Sequence, residues 1–190
     1  MSTQKSRLLL VDDEPNILRS LERQLRTISR GDGPAYLIET CTNPVVALQR
    51  AGEAAFDLVI SDYRMPEMNG VDFLRSFRGL QPTAARLILS GQTDLAGMIG
   101  AINEAGIMRF LAKPWEEAEL VFAVETALRE RSLLLENQRL ADELRASRGI
   151  IARQEAELRR LERESPGITR VNWDADGAVL VDMDVAGAKP

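Results

Sequence analysis

Histidine is missing from all 190 residues. That excludes an imidazole base, a phosphohistidine carried by this chain, and the His-Asp metal sites of phosphohydrolase domains. Cysteine occurs once, at Cys41, so no internal disulfide can form. A lone thiol on an expected strand is read as buried and inert. Aromatic residues make up only 5% and charged residues 28%, a balance that suits a helix-rich soluble protein better than an all-β one. No apolar run approaches the ~20 residues that span a bilayer. The polar start, Met1–Arg7, leads into just four apolar residues, Leu8–Val11, too short for a secretory signal. A cytoplasmic location with no membrane partner is expected. Charge of one sign is lacking as well. Basic and acidic side chains number 13 and 13 over residues 1–115, 9 and 12 over 116–164, and 2 and 4 over 165–190. No segment is basic and none after residue 125 reads as helix-turn-helix, so no DNA partner is expected.

What is present is a series of short apolar runs that stop at reactive side chains. Leu58-Val59-Ile60 has the pattern of a buried strand and ends at Ser61-Asp62. Leu8-Leu9-Leu10-Val11 runs into Asp12-Asp13-Glu14-Pro15, and Leu87-Ile88-Leu89 into Ser90-Gly91. Met108-Arg109-Phe110-Leu111-Ala112 runs into Lys113-Pro114. Any one of these is ordinary, since strand-end Asp and Ser residues are common turn and cap residues. Together they bring three carboxylates, a hydroxyl and an ammonium to one edge of one sheet, where open parallel sheets bind ligands.

Between the runs lie helical patterns. Ile17, Leu18, Leu21, Leu25 and Ile28 form a buried stripe after Pro15, with Arg30–Pro34 as its stop. Tyr36–Cys41 reads as a strand, and Asn43-Pro44 as a cap and first turn, with Gly52 as the stop. Pro66 and Gly70 break the chain before the helical pattern of Val71–Phe77, and a further helix is expected over about 94–105. This alternation with short connections implies a parallel sheet covered on both faces.

Asp12-Asp13, Asp62 with Met65-Pro66 and Gly70, Ser90 and Lys113-Pro114 give the chain its resemblance. Over about residues 5–125 it is similar to the receiver (CheY-like) domain of two-component response regulators. The resemblance implies a flavodoxin-like (βα)5 fold with a parallel five-stranded sheet of order 2-1-3-4-5. It implies that Asp62 accepts a phosphoryl group from a sensor histidine kinase or phosphotransfer protein. Mg²⁺ would be held by Asp13 and Asp62, by the Arg64 backbone carbonyl, and by Asp12 through water; hard oxygen ligands suit that ion. Lys113 would meet a phosphoryl oxygen, with Ser90 and Phe110 as the switch pair and Lys113-Pro114 in the cis form. Phe110 has no hydroxyl, so its two states would differ in packing alone. Arg109–Trp115 resembles the receivers that precede HD-type cyclic-di-GMP phosphodiesterase domains.

Beyond the receiver, expected over 1–125, one helix is expected from Glu116 to residue 164, about 70 Å at ~1.5 Å per residue. From about residue 130 it follows a heptad. Leu133, Leu140, Ser147, Gln154 and Leu161 fall at d, and Asn137, Leu144, Ile151 and Leu158 at a. Ser147, Gln154 and Gly149 weaken the seam. In a parallel pair Glu143 would face Arg148, and Glu157 would face Glu162. A homodimeric coiled coil is the expectation; a solvated single helix, or one folded back on its own domain, is the alternative. Residues 165–190 form a tail in which Ile168–Val171 and Ala178–Val181 flank a turn, Asp174–Gly177, as a β-hairpin.

Two other functions compete with a signalling switch that works on an unknown downstream protein. An aspartyl-phosphate phosphatase of the haloacid dehalogenase type needs a second Asp two residues after the nucleophile, where this chain has Arg64. The other alternative is the regulatory portion of a larger response regulator whose phosphodiesterase-type output lies outside this chain. No enzyme activity is expected of the chain itself.

Overall fold

The computed structural model describes residues 5–30, 33–91, 105–165, 172–173 and 179–180. The helix expected over about 94–105 lies outside them, apart from Ala105. The chain divides into two compact units, Met1–Glu136 and Asn137–Pro190.

The first unit is built on a five-stranded parallel sheet. Its strands are β1 (Ser6–Val11), β4 (Tyr36–Cys41), β5 (Leu58–Asp62), β6 (Ala85–Gly91) and β7 (Arg109–Lys113), in the order β4-β1-β5-β6-β7. That is the expected 2-1-3-4-5 arrangement. β5 is buried at every position and β6 at all but its last, as continuous apolar runs require. One face packs Leu8, Leu10, Leu58, Ile60 and Leu87 against α1 (Pro15–Arg26) and the start of α4 (Glu117–Glu164). The other packs Leu9, Val59 and Ile88 against α2 (Pro44–Glu53) and α3 (Gly70–Leu80). The register sets Val11 beside Ser61, Asp62 beside Leu89, Ser90 beside Ala112, and Gly91 beside Lys113. The polar strand ends thus lie along one edge.

Several boundaries differ from expectation, each for a local reason. α1 stops at Arg26, before Arg30–Pro34, because Ser29–Arg30 (β2) pairs with Gly33–Pro34 (β3) in a short antiparallel ladder. Gly52 does not end α2. The helix runs on to Glu53, and the Gln81 side chain donates to the Ala51 and Ala54 carbonyls at 2.7 and 2.6 Å, closing its end from a distant loop. Asn43 caps that helix as expected, its Oδ1 accepting from Val45 and Val46 N–H. Gly70 is not a breaker but the first residue of α3, capped by Asn69. Cys41 is half-buried rather than buried, with its thiol directed at the Asn43 carbonyl.

α4 is continuous over 48 residues. Leu120, Ala123, Val124, Ala127 and Leu128 join the core, and charged ties follow. Arg109 meets Glu130 at 2.6 Å, and Arg131 meets Asp57 at 2.9 Å and the Thr83 carbonyl at 3.0 Å. Beyond them Leu133, Leu140, Leu144, Ile151 and Leu158 are all exposed. Helical ion pairs line this stretch, among them Arg139–Glu143 and Arg160–Glu157, both at 2.7 Å. Glu157, expected to oppose Glu162 in a parallel pair, thus has a cation from its own helix.

In the tail, Asn172–Trp173 (β8) and Val179–Leu180 (β9) pair antiparallel. The expected strand Ile168–Val171 and the Asp174–Gly177 turn lie outside the described residues.

Candidate functional site

The site is assembled at the ends of β1, β5, β6 and β7. Asp12 follows β1 and is fully buried; its Oδ1 accepts from the Glu14 N–H at 2.9 Å, which fixes the turn into α1. Asp13, beside it, is half-buried. Asp62 closes β5 at 5% exposure, and its Oδ2 accepts from the Arg64 N–H at 2.9 Å. Oxygens of Asp12, Asp13 and Asp62 lie within 4.8 Å of one another. Three carboxylates so close repel unless a cation joins them. Lys113 supplies one, its ammonium lying 2.5 Å from Asp62 Oδ1 and 2.8 Å from Asp12 Oδ2.

Burial sets the electrostatics first. It pushes the Asp12 carboxyl above the usual range, against the hydrogen bond and charge of Lys113. Burial also pulls Lys113 down, but hydrogen bonds and attraction from Asp12 and Asp62 outweigh it, so the ammonium is held above its ordinary value. The net result is a cation fixed between two acids. The donor set fits a hard divalent ion: three carboxylates from two strand ends, with oxygen ligands only.

Ser90 is buried near the end of β6, between the strands that carry Asp62 and Lys113, and its hydroxyl donates to the Gly91 carbonyl at 3.2 Å. Phe110 lies on β7, half-buried against the second core cluster. Lys113-Pro114 is cis, as the resemblance implied. Arg64 turns its N–H toward Asp62.

Gly70 has a role that its reading as a chain breaker missed. A Cβ at this position would run into the backbone carbonyl of Asp62. Its N–H also donates to the Tyr63 carbonyl at 2.8 Å. Only a residue without a side chain lets α3 close against the strand end that presents the carboxylate. Glycine eight residues after a strand-end Asp is the only sequence signal for it.

Residues 8–125 match the family model of the response regulator receiver domain. The chain belongs to the response regulator receiver family. Among solved structures, this receiver is similar to the signal receiver domain of an HD domain-containing protein from Pseudomonas fluorescens Pf-5. Identity is 33% and the TM-score 0.62, over 68% of this chain and 98% of that one. An uncharacterized protein from Neptuniibacter caesariensis is 39% identical, with a TM-score of 0.63 over 70% and 93% of the two chains. Curated relatives include the hydrogenase transcriptional regulatory protein HoxA of Cupriavidus necator, 31% identical over 83% of this chain and 31% of its own length. The response regulator protein TmoT of Ectopseudomonas mendocina is 30% identical over 83% of this chain and 69% of its own length. The chain thus spans about a third of the length of HoxA and about two thirds of that of TmoT. No helix among the described residues is long and apolar enough to cross a membrane.

Proposed function

We propose that the chain is a phosphorylation switch in which Asp62 takes a phosphoryl group from a sensor histidine kinase or phosphotransfer protein. One observation carries the reading: a buried strand-end carboxylate is held between two further acids and a lysine ammonium. An Asp62 oxygen attacks the phosphorus of the donor's phosphohistidine. The new P–O bond forms as the P–N bond breaks, and the imidazole leaves with the electron pair and takes a proton. Charge on the transferred oxygens has to be offset, since phosphoryl transfer is mostly positioning and electrostatics.

Lys113 offers a fixed ammonium for that charge. Asp12, Asp13 and Asp62, with the Arg64 carbonyl, would hold Mg²⁺, which would neutralise the acids and the incoming phosphate. Ser90 then meets the bound phosphoryl group and Phe110 repacks in response. The chain turns over nothing beyond its own acyl phosphate, because Arg64 stands where an acid/base Asp is needed for phosphatase chemistry. Output passes through α4, whose apolar heptad positions from Leu133 to Leu158 are exposed in the single chain. A second copy covers them in a parallel coiled-coil dimer, with Asn137 at an a position to fix the register. No segment of this net-acidic chain is basic, which leaves it no DNA footprint of its own.

Acetyl phosphate with Mg²⁺ should add one acid-labile phosphoryl group, and chelation of Mg²⁺ should block it. Asp62→Asn should abolish it. Equal labelling of that variant would overturn the assignment.

The lengths of the HoxA relatives favour a second reading, in which this switch is the regulatory portion of a larger regulator. An output sequence continuous with residue 190 in the gene would decide for it.

A further inference from the structure

Lys113 is the last residue of β7, the outermost strand of the sheet, and it is laddered on one side only, to Gly91. Its ammonium nonetheless reaches both Asp62 and Asp12. A lysine ends in a point charge on a flexible four-carbon stem, so the backbone that follows the strand must be held if the charge is to be aimed. Two residues on, Trp115 is half-buried against the core shared by α1 and α4. Its indole N–H donates to Gln24 Oε1 on α1 at 2.8 Å. Glu117 adds a weaker, exposed tie, accepting from the Thr27 hydroxyl at 3.4 Å.

α1 is a meaningful place to anchor. It begins at Pro15, directly after Asp12-Asp13-Glu14, and its entry is fixed by the hydrogen bond between Asp12 and the Glu14 N–H. The same helix therefore references the metal-type carboxylates at one end and the lysine turn near the other. We infer that Trp115 and Gln24 are positioning residues for phosphoryl transfer: their hydrogen bond fixes the turn after β7 and aims the Lys113 ammonium at the transferred phosphoryl oxygens. The inference rests on Asp62 being the phosphoacceptor. A half-buried indole favours a partner for its N–H in any case, so packing alone has to be separated from positioning.

The full chain is labelled with acetyl phosphate at saturating Mg²⁺, and the saturating rate is compared among variants that retain the wild-type unfolding transition. Gln24→Leu and Trp115→Phe should each slow labelling roughly 5- to 50-fold, short of the ~100-fold that a 1 Å misplacement can cost. The double variant should be no slower than either single one, since both break the same bond. Gln24→Glu, which keeps the acceptor oxygen, should restore the wild-type rate. The deciding comparison is in a Lys113→Met chain, where adding Gln24→Leu should cost nothing more because no ammonium remains to be aimed. An equal loss in both backgrounds would make the bond a general prop and overturn the inference, as would wild-type rates in both single variants. Trp115→Phe keeps the ring packing and carries the comparison if Gln24→Leu unfolds. Failure of the Asp62 reading itself looks different: the wild-type chain would stay unlabelled, or Asp62→Asn would label equally.

Discussion

Two glycines on the same helix separate a site requirement from simple propensity. A Cβ at Gly70 meets the Asp62 carbonyl, whereas one at Gly79, exposed on α3, meets nothing within 4 Å. Gly70→Ala should therefore cost about 1–3 kcal/mol, the usual range for overpacking, and should reduce labelling of Asp62. Gly79→Ala should gain roughly 0.5–1 kcal/mol from helix propensity and leave labelling alone. Urea denaturation of the two variants checks the contrast; equal effects would mean that the α3 start can shift freely. Glu39 offers a second residue-scale case. Burial tends to raise its carboxyl, but hydrogen bonds and charge from Arg7 and Arg50 outweigh it and hold it below its ordinary 4.5. A depressed carboxylate stabilises the fold above its unfolded value and loses that contribution as pH falls through its folded value. Glu39→Gln should thus be less stable than wild type at pH 7, by no more than about 1 kcal/mol for a partly exposed pair. The gap should be full above pH 4.5 and close below it. A gap independent of pH would assign the effect to packing.

Among the elements, α4 is the one whose behaviour depends on distant partners. Arg131 ties it to Asp57, just before β5, and Glu130 ties it to Arg109 at the start of β7. The strands that end in Asp62 and Lys113 are therefore fastened at their opposite ends to consecutive residues of one helical turn. A double-mutant cycle with Arg131→Met and Asp57→Asn should show a coupling of roughly 1 kcal/mol, since both groups are more than half buried. The exposed Arg145–Asp142 pair on the same helix should show close to none. Equal couplings would mean that the Arg131 tie adds nothing beyond an ordinary surface pair. These ties also mark where sequence reading stops. The strands were legible because Leu58–Ile60 and Leu87–Leu89 are unbroken apolar runs, and the site because each run stops at a chemically distinct residue. The Asn43 cap was legible because its partners are two and three residues away. Gln81 closing α2, Arg131 reaching Thr83, and Trp115 meeting Gln24 join residues 27 to 91 positions apart. No local pattern encodes such pairs. The short Ser29–Pro34 ladder was missed for a different reason, since two residues per strand are too few to show a period.

For the whole molecule, the question is how a change at Asp62 reaches α4. Lys113 and Phe110 sit on β7, and α4 starts four residues after Lys113. In the proposed switch, a phosphoryl group that draws on Lys113 and repacks Phe110 would act on the same strand that Glu130 grips through Arg109. Truncation after Glu136 keeps those ties and should leave a monomeric, phosphorylatable receiver, while the full chain is dimeric at micromolar concentration in sedimentation. A monomeric full chain would make the distal helix a solvated spacer. In the proposed dimer, a phosphoryl mimic shifts assembly only by its differential affinity for the two receiver states. Coupling typical of allostery, ~1–3 kcal/mol, corresponds to a roughly 5- to 150-fold change in dimer affinity. The proposed seam is poised to show it, because Ser147 and Gln154 fall at d positions of the heptad and Gly149 costs ~1 kcal/mol of helix propensity. Beryllium fluoride with Mg²⁺ should therefore change the dimer dissociation constant of the wild-type chain and leave that of Asp62→Asn unmoved. Arg109→Met should shrink the response without lowering the rate of Asp62 labelling, because it cuts the tie to Glu130 and leaves Lys113 in place. Spin labels at Arg145 on both protomers provide the second readout, sensitive to rearrangement in a dimer that never dissociates. Unchanged affinity together with unchanged label distances would make the coil a constitutive tether, with the phosphorylated state read from the receiver surface by a separate protein.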